Sequence, residues 1–227
     1  MGVLEVKDVD KIYSENGVPV HALKKINLEI NEGDYMVIAG PSGSGKTTLL
    51  NLLGTLDVPT EGSIFLEGKD MKEKSRSELS EIRLKKMGFV FQAYNLIPVL
   101  TALENVEFPM MLRGIPAKER HDKALSVMED LGIGELADKR PNQMSGGQQQ
   151  RVAVARAIAN DPVIVLADEP TANLDSKSGE NLLSIMREMN EKKNITFVFS
   201  SHDKQVIEQS KRLIMLKDGK ISENKEQ

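Results

Sequence analysis

The sequence predicts an α/β domain built on a mostly parallel β-sheet that is flanked by helices. Two uninterrupted apolar runs, Tyr35–Ala39 and Val163–Ala167, are typical of strands buried on both faces. A glycine-rich segment follows the first run, and two carboxylates, Asp168 and Glu169, follow the second. Because ligands bind beyond the carboxyl ends of parallel strands, we expect both segments at one edge of the sheet.

Three further segments in the N-terminal third are predicted to be strands. Val3–Val9 and His21–Ile30 alternate apolar and polar residues with a period of two, which indicates half-buried strands. Ser63–Leu66 is a shorter strand followed by a turn. Asn31–Asp34 is predicted to form the turn before the first buried run, because Asn, Gly and Asp favour turns.

The middle of the chain, approximately residues 75–157, is predicted to be a helical insertion within the α/β domain. Helical periodicity with charged outer faces marks Ser77–Lys86 and Ala117–Leu131, and three prolines punctuate the region: Pro98, Pro109 and Pro116. The elements predicted after it are a helix over Lys177–Asn190, a strand over Ile195–Ser200, a hairpin of Arg212–Leu216 with Lys220–Ile221, and a fraying polar tail, Ser222–Gln227.

The composition excludes several classes of function. The 227 residues include no cysteine, which rules out disulfide scaffolds, iron–sulfur clusters, cysteine nucleophiles and cysteine-based zinc sites. A net charge of −4 and an aromatic content of 4% argue against nucleic acid as a partner. No apolar stretch approaches the ~18–20 residues that cross a bilayer, and no secretory leader is visible. We therefore expect a cytoplasmic chain without direct membrane insertion.

A phosphate-binding loop is predicted directly after the first buried run. The segment fits the pattern G-x-x-x-x-G-K-[ST] between a strand and a helix and continues into Thr48; its residues are Gly40, Pro41, Ser42, Gly43, Ser44, Gly45, Lys46 and Thr47. Backbone N–H groups and the helix N-terminus surround phosphate oxygens, Lys46 supplies a charge to the β- and γ-phosphates, and Thr47 offers a hydroxyl to Mg²⁺. The alternative is a glycine-rich turn with a surface lysine.

The second buried run ends in the two carboxylates of Asp168 and Glu169. Beside a phosphate loop, one carboxylate can hold Mg²⁺ through its water shell while the next deprotonates or orients an attacking water. We predict that Asp168 has the first role and that Glu169 is the general base. The alternative is that both residues merely cap a strand before the turn at Pro170 and Thr171.

A second anion-binding end is predicted at Ser145, Gly146, Gly147 and Gln148. A serine and two glycines that open a helix expose N–H groups and a hydroxyl. A chain with one phosphate loop has little use for another on the same nucleotide. The alternative is an ordinary serine N-cap followed by flexible glycines.

Together these motifs resemble the ATP-binding subunits of ABC transporters, and Ser145–Gln148 is similar to the signature motif of that family. The resemblance covers about Leu4 to Ile221; one departure is Met144, where the family usually has Leu, a swap that conserves volume. It implies a single domain over 1–227 with a P-loop NTPase core, an N-terminal antiparallel β part and a helical signature subdomain. It also implies an ATP-dependent homodimer, paired head to tail, with each ATP between one phosphate loop and the other subunit's signature.

The resemblance implies roles for further residues. Tyr13 matches the aromatic residue that stacks on adenine, and His202 matches the histidine that contacts the γ-phosphate. Gln92 matches the glutamine that reaches Mg²⁺ and the attacking water while it contacts the membrane partner. ATP and Mg²⁺ are the implied cofactors, with Thr47, Gln92 and Asp168 at the metal. Ala172–Asp175 resembles the loop that crosses the dimer interface.

Several segments resemble the branch that includes the lipoprotein-release and macrolide-export ATPases: Tyr94–Pro98, Leu103–Val106, Leu166–Thr171 and Asn173–Ser176. The implied partner is an integral membrane permease that holds the subunit at the cytoplasmic face of the cell (inner) membrane. An ATPase that gates an extracytoplasmic regulatory or mechanotransmission complex without transport is the alternative, because it needs the same ATP cycle. A soluble ABC-type ATPase fits less well, since those proteins usually carry tandem cassettes or a long coiled coil. The transported substrate is not encoded in this chain.

Overall fold

The structure is a computed structural model that describes residues 2–15 and 18–227. In chain order its strands and helices are β1 (Gly2–Glu15), β2 (Val18–Asn31), β3 (Tyr35–Ala39), α1 (Lys46–Leu53), β4 (Glu61–Leu66), β5 (Lys69–Asp70), α2 (Arg76–Lys86), β6 (Met87–Val90), α3 (Ala102–Leu112), α4 (Ala117–Asp130), α5 (Gly146–Ile158), β7 (Ile164–Asp168), α6 (Ser176–Lys193), β8 (Phe197–Ser200), α7 (Lys204–Gln209), β9 (Arg212–Lys217) and β10 (Lys220–Glu226). Short 3₁₀ turns cover Gly134–Leu136 and Pro141–Gln143.

The main sheet has six strands in the order β10-β9-β3-β8-β7-β6. All neighbouring pairs are parallel except β9 with β10, which is antiparallel. Every residue of β3 and β8 is buried, as the apolar runs predict for strands covered on both faces. The predicted α/β class is confirmed, and the loops that follow β3, β6, β7 and β8 emerge at the same edge of this sheet.

A second sheet covers one face of the main sheet and has the order β2-β1-β4-β5. Its strand pairs are antiparallel, which confirms the N-terminal antiparallel part. The strands β1 and β2 extend well beyond the predicted Val3–Val9 and His21–Ile30. The pairing of β1 with β2 shifts register between Val6 and Ile12. These irregularities interrupt the alternation of apolar and polar residues, so the sequence pattern stops while β1 continues.

Two apolar clusters lie on opposite faces of the main sheet. Val37 points into the cluster that holds α3, α4, α5 and α6, whereas Met36 and Ile38 point into the cluster beneath α1 and the second sheet. Within the first cluster, Tyr35 packs edge-on against Phe197 and Phe199, with ring centroids 5.9 and 4.8 Å apart. Helices on both faces therefore bury the sheet and hold its loop-bearing edge in place.

The expected helical insertion over approximately 75–157 contains α2, α3, α4 and α5 but also contributes β6 to the main sheet. The helix α3 was not predicted, because Pro109 lies inside it and lacks the N–H of an intrahelical bond. Thr101 and Glu104 form a capping box at its start, and Val106 and Met110 are buried, so the helix continues despite the proline. None of the helices in the described part of the chain combines the length and the apolar character that crossing a bilayer requires.

The expectation that Ser222–Gln227 frays is wrong. The strand β10 runs to Glu226, pairs with β9 up to Arg212, and the N–H of Gln227 donates to the carbonyl of Lys211 at 2.8 Å. The segment is an edge strand whose side chains are mostly exposed, so polar composition does not argue against pairing there.

Candidate nucleotide site

The predicted phosphate loop connects β3 to α1, and α1 begins at Lys46. Gly45 has a φ of 104°, and a Cβ atom there would lie 2.6 Å from the carbonyl oxygen of Ala22. At Gly40 a Cβ atom would lie 2.1 Å from the carbonyl oxygen of Leu216. These two glycines are required because strands β2 and β9 pack directly against the loop.

The ammonium group of Lys46 lies against the loop itself. Its Nζ atom donates to the carbonyl oxygens of Gly40 at 2.8 Å and Pro41 at 3.1 Å. Both contacts are with neutral carbonyl groups, so the positive charge has no anionic partner within residues 2–15 and 18–227. Together with the N-terminus of α1, this charge makes the loop a site for an anion.

A cavity of about 690 Å³ opens in front of the loop, a size in the range of small-molecule sites. The predicted residues that it brings together are Pro41, Ser42, Gly43, Gly45, Lys46, Thr47, Thr48, Gln92, Glu169 and His202. Val20, His21 and Ala22 line it as well and were not predicted as site residues, and Ala172 of the predicted interface loop also lines it. The first three come from β2, which no motif connects to the loop, so only the fold could place them here.

Thr47 lines this cavity, and Asp168, the last residue of β7, lies beside it. The hydroxyl of Thr47 is 3.5 Å from Oδ1 of Asp168, across the gap between α1 and the end of β7. Both groups are hard oxygen donors of the kind that Mg²⁺ prefers. Among the described residues no cluster of three or more His, Cys, Asp or Glu side chains could hold a metal ion by itself. The donor set fits Mg²⁺ held by few protein oxygens together with phosphate and water.

Glu169 is held at both carboxylate oxygens. Its Oε1 lies 2.7 Å from Nδ1 of His202, and its Oε2 accepts a hydrogen bond from the hydroxyl of Ser201 at 2.9 Å. The backbone of Glu169 has a φ of 45°, and its N–H donates to the carbonyl of Ser200 at 2.8 Å. Ser201 is itself buried and was not predicted as a site residue, because its contact comes from the neighbouring strand.

Gln92 follows β6 and contacts the loop before α6. The side-chain amide of Asn173 donates to the backbone carbonyl of Gln92 at 2.9 Å, and the Gln92 amide points back to Oδ1 of Asn173 at 3.5 Å. The hydroxyl of Tyr94 donates to the carbonyl of Asn173 at 3.4 Å. These bonds connect the predicted partner-contacting residue with the predicted interface loop of the same chain.

The Ser145–Gln148 segment opens α5, as predicted, but does not line the cavity of the phosphate loop. The hydroxyl of Ser145 accepts from the N–H of Gln148 at 3.3 Å, and Oε1 of Gln148 accepts from the N–H of Ser145 at 2.9 Å. The N–H groups of Gly146 and Gly147 have no intrahelical partner at this position. Ser145 is exposed and is not among the residues that line the cavity of its own chain's phosphate loop.

The signature helix α5 nevertheless contacts both other site loops. The buried side chain of Gln150 donates to the carbonyls of Pro170 at 2.7 Å and Phe91 at 3.4 Å, which are the chain neighbours of Glu169 and Gln92. Arg156 donates to the carbonyls of Tyr94 and Asn95, and burial lowers the pKa of its guanidinium. A shift of α5 therefore acts on the segments that carry Gln92 and Glu169.

Tyr13 lies on β1 and does not line the cavity. Its hydroxyl donates to Oδ2 of Asp57 at 2.8 Å. Burial, and next the bond to Asp57, raise the pKa of the Tyr13 phenol, whereas Thr48 beside it acts in the opposite direction. Through Thr48 the ring lies next to the cavity wall, although the predicted contact with adenine stays a prediction.

Comparison with known sequences identifies the family. The profile of the family described as ABC transporter matches residues 23–172, which include the phosphate loop, the signature and the carboxylates after β7. The chain belongs to the ABC transporter family. This membership confirms the predicted family and, with it, the prediction that the chain is an ATP-hydrolysing enzyme.

Relatives of this ABC transporter chain align over almost its whole length. An ABC transporter ATP-binding protein of Thermotoga maritima, named as uncharacterized, is 50% identical over 96% of the chain and 93% of the relative. The macrolide export ATP-binding/permease protein MacB of Aggregatibacter actinomycetemcomitans is 45% identical over 97% of the chain. The chain spans only 34% of the length of that protein.

Solved ABC transporter cassettes share the fold. A dimeric structure of the bacterial ABC transporter cassette MJ0796 matches with a TM-score of 0.90 and 44% identity, covering 98% of both chains. A second dimeric structure of MJ0796, in a post-hydrolysis state bound to ADP and Pi, matches with the same TM-score, identity and coverage. The predicted fold class is therefore confirmed.

Proposed function

We propose that this chain is the ATP-binding subunit of a transporter in which two copies close head to tail over two ATP molecules and thereby drive a membrane permease. The observation that carries the proposal is the separation, within one chain, of the phosphate loop from the exposed Ser145 end of α5. Each is an incomplete anion site, and a second copy turned around would complete both. The dimeric MJ0796 cassettes support this arrangement.

In the proposed hydrolysis, the oxygen of a water molecule attacks the γ-phosphorus, the bond to the β–γ bridging oxygen breaks, and ADP leaves. Glu169 accepts the proton of the attacking water, and His202 and Ser201 hold its carboxylate in place. Lys46 exchanges its carbonyl partners for phosphate oxygens. When bound at Thr47, Asp168 and Gln92, Mg²⁺ would neutralise charge on the β- and γ-phosphates.

We propose that the permease docks into an apolar groove of about 380 Å³ next to Gln92. Leu56 and Leu112, which line the groove, are 48% and 57% exposed, and Phe89 and Phe91 form its floor. Exposed apolar surface in a groove fits a short amphipathic helix of a partner. Arg156 also lines it and bonds the loop after Gln92, so a docked helix would touch the segment that reaches the nucleotide.

The lipoprotein-release or macrolide-export type of transport is the finer part of the proposal. It is supported by the MacB relatives and by the pyoverdine export ATP-binding/permease protein PvdT of Pseudomonas aeruginosa, which is 45% identical over 96% of this chain. The names of these relatives describe an ATP-binding part and a permease part in one protein. For the present chain we propose that an integral membrane permease is a separate partner and holds the chain at the cytoplasmic face of the cell membrane.

Cross-linking tests the head-to-tail dimer, because the chain contains no cysteine of its own. Two single variants, Ser42→Cys and Ser145→Cys, are mixed with or without ATP and treated with a short bis-maleimide. The proposal expects a cross-link between the two variants that depends on ATP. The control replaces Ser42→Cys with Ser77→Cys, which is exposed on α2 and expected to stay unlinked. No ATP-dependent product from the first mixture would contradict the proposed dimer.

A further inference from the structure

A nearly buried lysine lies next to the predicted adenine-stacking residue. Lys11 is only 8% exposed, although it is on the edge hairpin formed by β1 and β2. Its Nζ donates to Oδ1 of Asp57 at 2.7 Å and to the carbonyl oxygen of Val58 at 2.9 Å. Burial of a lysine is unfavourable unless its charge is paired and bonded, so these contacts account for its position.

The same carboxylate also holds Tyr13. Oδ1 of Asp57 accepts from Lys11, whereas Oδ2 accepts from the Tyr13 hydroxyl at 2.8 Å. The Nζ atom of Lys11 lies 4.7 Å from the centroid of the Tyr13 ring, which is a cation–π contact. One face of the ring is therefore covered by a charge, and its hydroxyl is fixed by a carboxylate.

The cluster of Lys11, Asp57 and Tyr13 pairs a positive charge with a negative one. Burial acts to raise the pKa of the Asp57 carboxyl, but the bonds from Lys11, Tyr13 and the Val58 amide outweigh it and lower the pKa overall. Asp57 therefore stays ionised beside the lysine. The cluster is an ion pair with an aromatic ring attached to it.

Asp57 connects the ring to the phosphate loop. It lies just after α1, the helix that begins at Lys46, and its N–H donates to the carbonyl of Asn51 in that helix at 3.3 Å. On the other side, Tyr13 pairs with Val20 across the hairpin, and Val20 lines the cavity. The ring is thus held at a set position relative to the loop that is predicted to bind the phosphates.

We propose that Lys11 and Asp57 are positioning residues that hold Tyr13 so that only the ring face opposite Lys11 can stack on the nucleotide base. The inference rests on the proposed function, in which Tyr13 contacts the base of ATP. The two residues would raise affinity for the base-bearing part of the nucleotide without touching it. Binding of the phosphates alone, which uses the loop and Lys46, would not depend on them.

Calorimetric titration of the full chain with ATP and with inorganic tripolyphosphate tests this. We expect Lys11→Met and Asp57→Asn each to weaken ATP binding by about 3- to 10-fold relative to tripolyphosphate binding, because the first loses the cation–π contact with Tyr13 and the second weakens the hydrogen bond to its hydroxyl. The two changes alter net charge in opposite directions. A long-range electrostatic effect would move the two affinities oppositely, whereas loss of the ring's position weakens ATP binding in both.

Lys7→Met is the matched control. Lys7 is on the same strand as Lys11, and its Nζ atom lies 5.0 Å from the ring centroid of Phe65. The substitution removes the same charge as Lys11→Met, but Lys7 does not line the cavity. We expect it to leave the ratio of the ATP to tripolyphosphate affinities unchanged. Lys11→Arg should retain most of the ATP affinity, because a guanidinium also provides a cation above the ring.

The outcomes separate the inference from the proposed function. If Tyr13→Ala lowers affinity for ATP selectively but Lys11→Met and Asp57→Asn behave like Lys7→Met, the positioning role is overturned and the base contact stands. If Tyr13→Ala has no selective effect, the base contact fails and the positioning role fails with it. Should Asp57→Asn not fold, Tyr13→Phe, which removes only the hydroxyl bond to Asp57, is expected to weaken ATP selectively in its place.

Discussion

Nδ1 of His202 lies 2.7 Å from Oε1 of Glu169, although the two residues are 33 positions apart. They meet because β7 and β8 are parallel neighbours, so the loops that follow them emerge side by side. Ser201, in the same loop as His202, bonds the second oxygen of the carboxylate. The orientation of the proposed general base is therefore set by the strand next to its own.

Replacement of Glu169 by Gln tests its role as the base. The amide keeps the size of the side chain but cannot accept a proton, so turnover is expected to fall by ~10²–10⁴-fold. ATP binding should survive, because the loop and Lys46 are unchanged. Removing a negative charge beside the γ-phosphate should also favour an ATP-dependent dimer, which size-exclusion chromatography with and without ATP detects. A normal rate of ATP hydrolysis by Glu169→Gln would show that Glu169 is not the general base.

Ser201→Ala is expected to lower turnover by about 2- to 13-fold, which corresponds to a hydrogen bond of ~0.5–1.5 kcal/mol, with ATP affinity unchanged. Phosphate release and ATP titration measure the two quantities. The neighbouring Ser200 is the matched control, since it is also buried but its hydroxyl has no hydrogen-bond partner in the described part of the chain. Equal loss of turnover in Ser200→Ala would show that the loop, and not the bond, is affected.

Lys46→Ala is expected to weaken ATP binding by about 10- to 100-fold, since a hydrogen bond to a charged group contributes ~1.5–3 kcal/mol. Turnover should fall by roughly 100- to 1000-fold, as on removal of a donor aimed at developing charge. Equilibrium binding of ATP and phosphate release measure the two effects. Near-normal values for both would contradict the assignment of the phosphate loop.

Ser145→Arg is expected to abolish hydrolysis while ATP binding to the monomer stays close to normal. The added charge and bulk would block the γ-phosphate on the partner and leave the subunit's own phosphate loop intact. Ser75→Arg is a matched control, because Ser75 caps α2 with the same capping box and lies outside the cavity. Loss of ATP binding by the Ser145→Arg monomer would place the signature in its own chain's site.

Gly88→Ala is expected to destabilise the fold by about 1–3 kcal/mol, the usual cost of overpacking. A Cβ atom at Gly88 in β6 would lie 2.4 Å from the carbonyl oxygen of Ala157 in α5, so strand and helix would have to separate. Gly179→Ala in α6 is the contrasting change, because its Cβ would find ordinary contacts at 3.5 Å or more. Helix propensity should then stabilise that variant by ~0.5–1 kcal/mol. Urea unfolding measures both.

The buried strands were predicted well because their signal is local. β3 has the predicted bounds, and β7 and β8 differ from their predictions by one or two residues at the ends. The continuation of β10 beyond Ile221 and the proline-containing α3 were not predicted, because their stability comes from pairing and burial against other segments.

The residues of the site also divide into those that a local sequence signal reveals and those that only the fold reveals. Motifs of consecutive residues, such as Gly40–Thr47 and Ser145–Gln148, could be found without the fold. The partners of those motifs could not: Ser201 is 32 positions from Glu169, and Asp57 is 46 positions from Lys11. Such pairs leave no periodic or spacing signal, since their distance along the chain is set only by how the sheets are connected.

Lys46 connects the phosphate loop from within, because its ammonium group donates to the carbonyls of Gly40 and Pro41. These bonds keep the backbone curved around a positive centre, so incoming phosphates would meet a shape that the chain itself maintains. Little conformational entropy then has to be lost at the moment of capture. We would expect the rate of nucleotide association to be governed by diffusion and charge, with slow steps confined to the later meeting of two subunits.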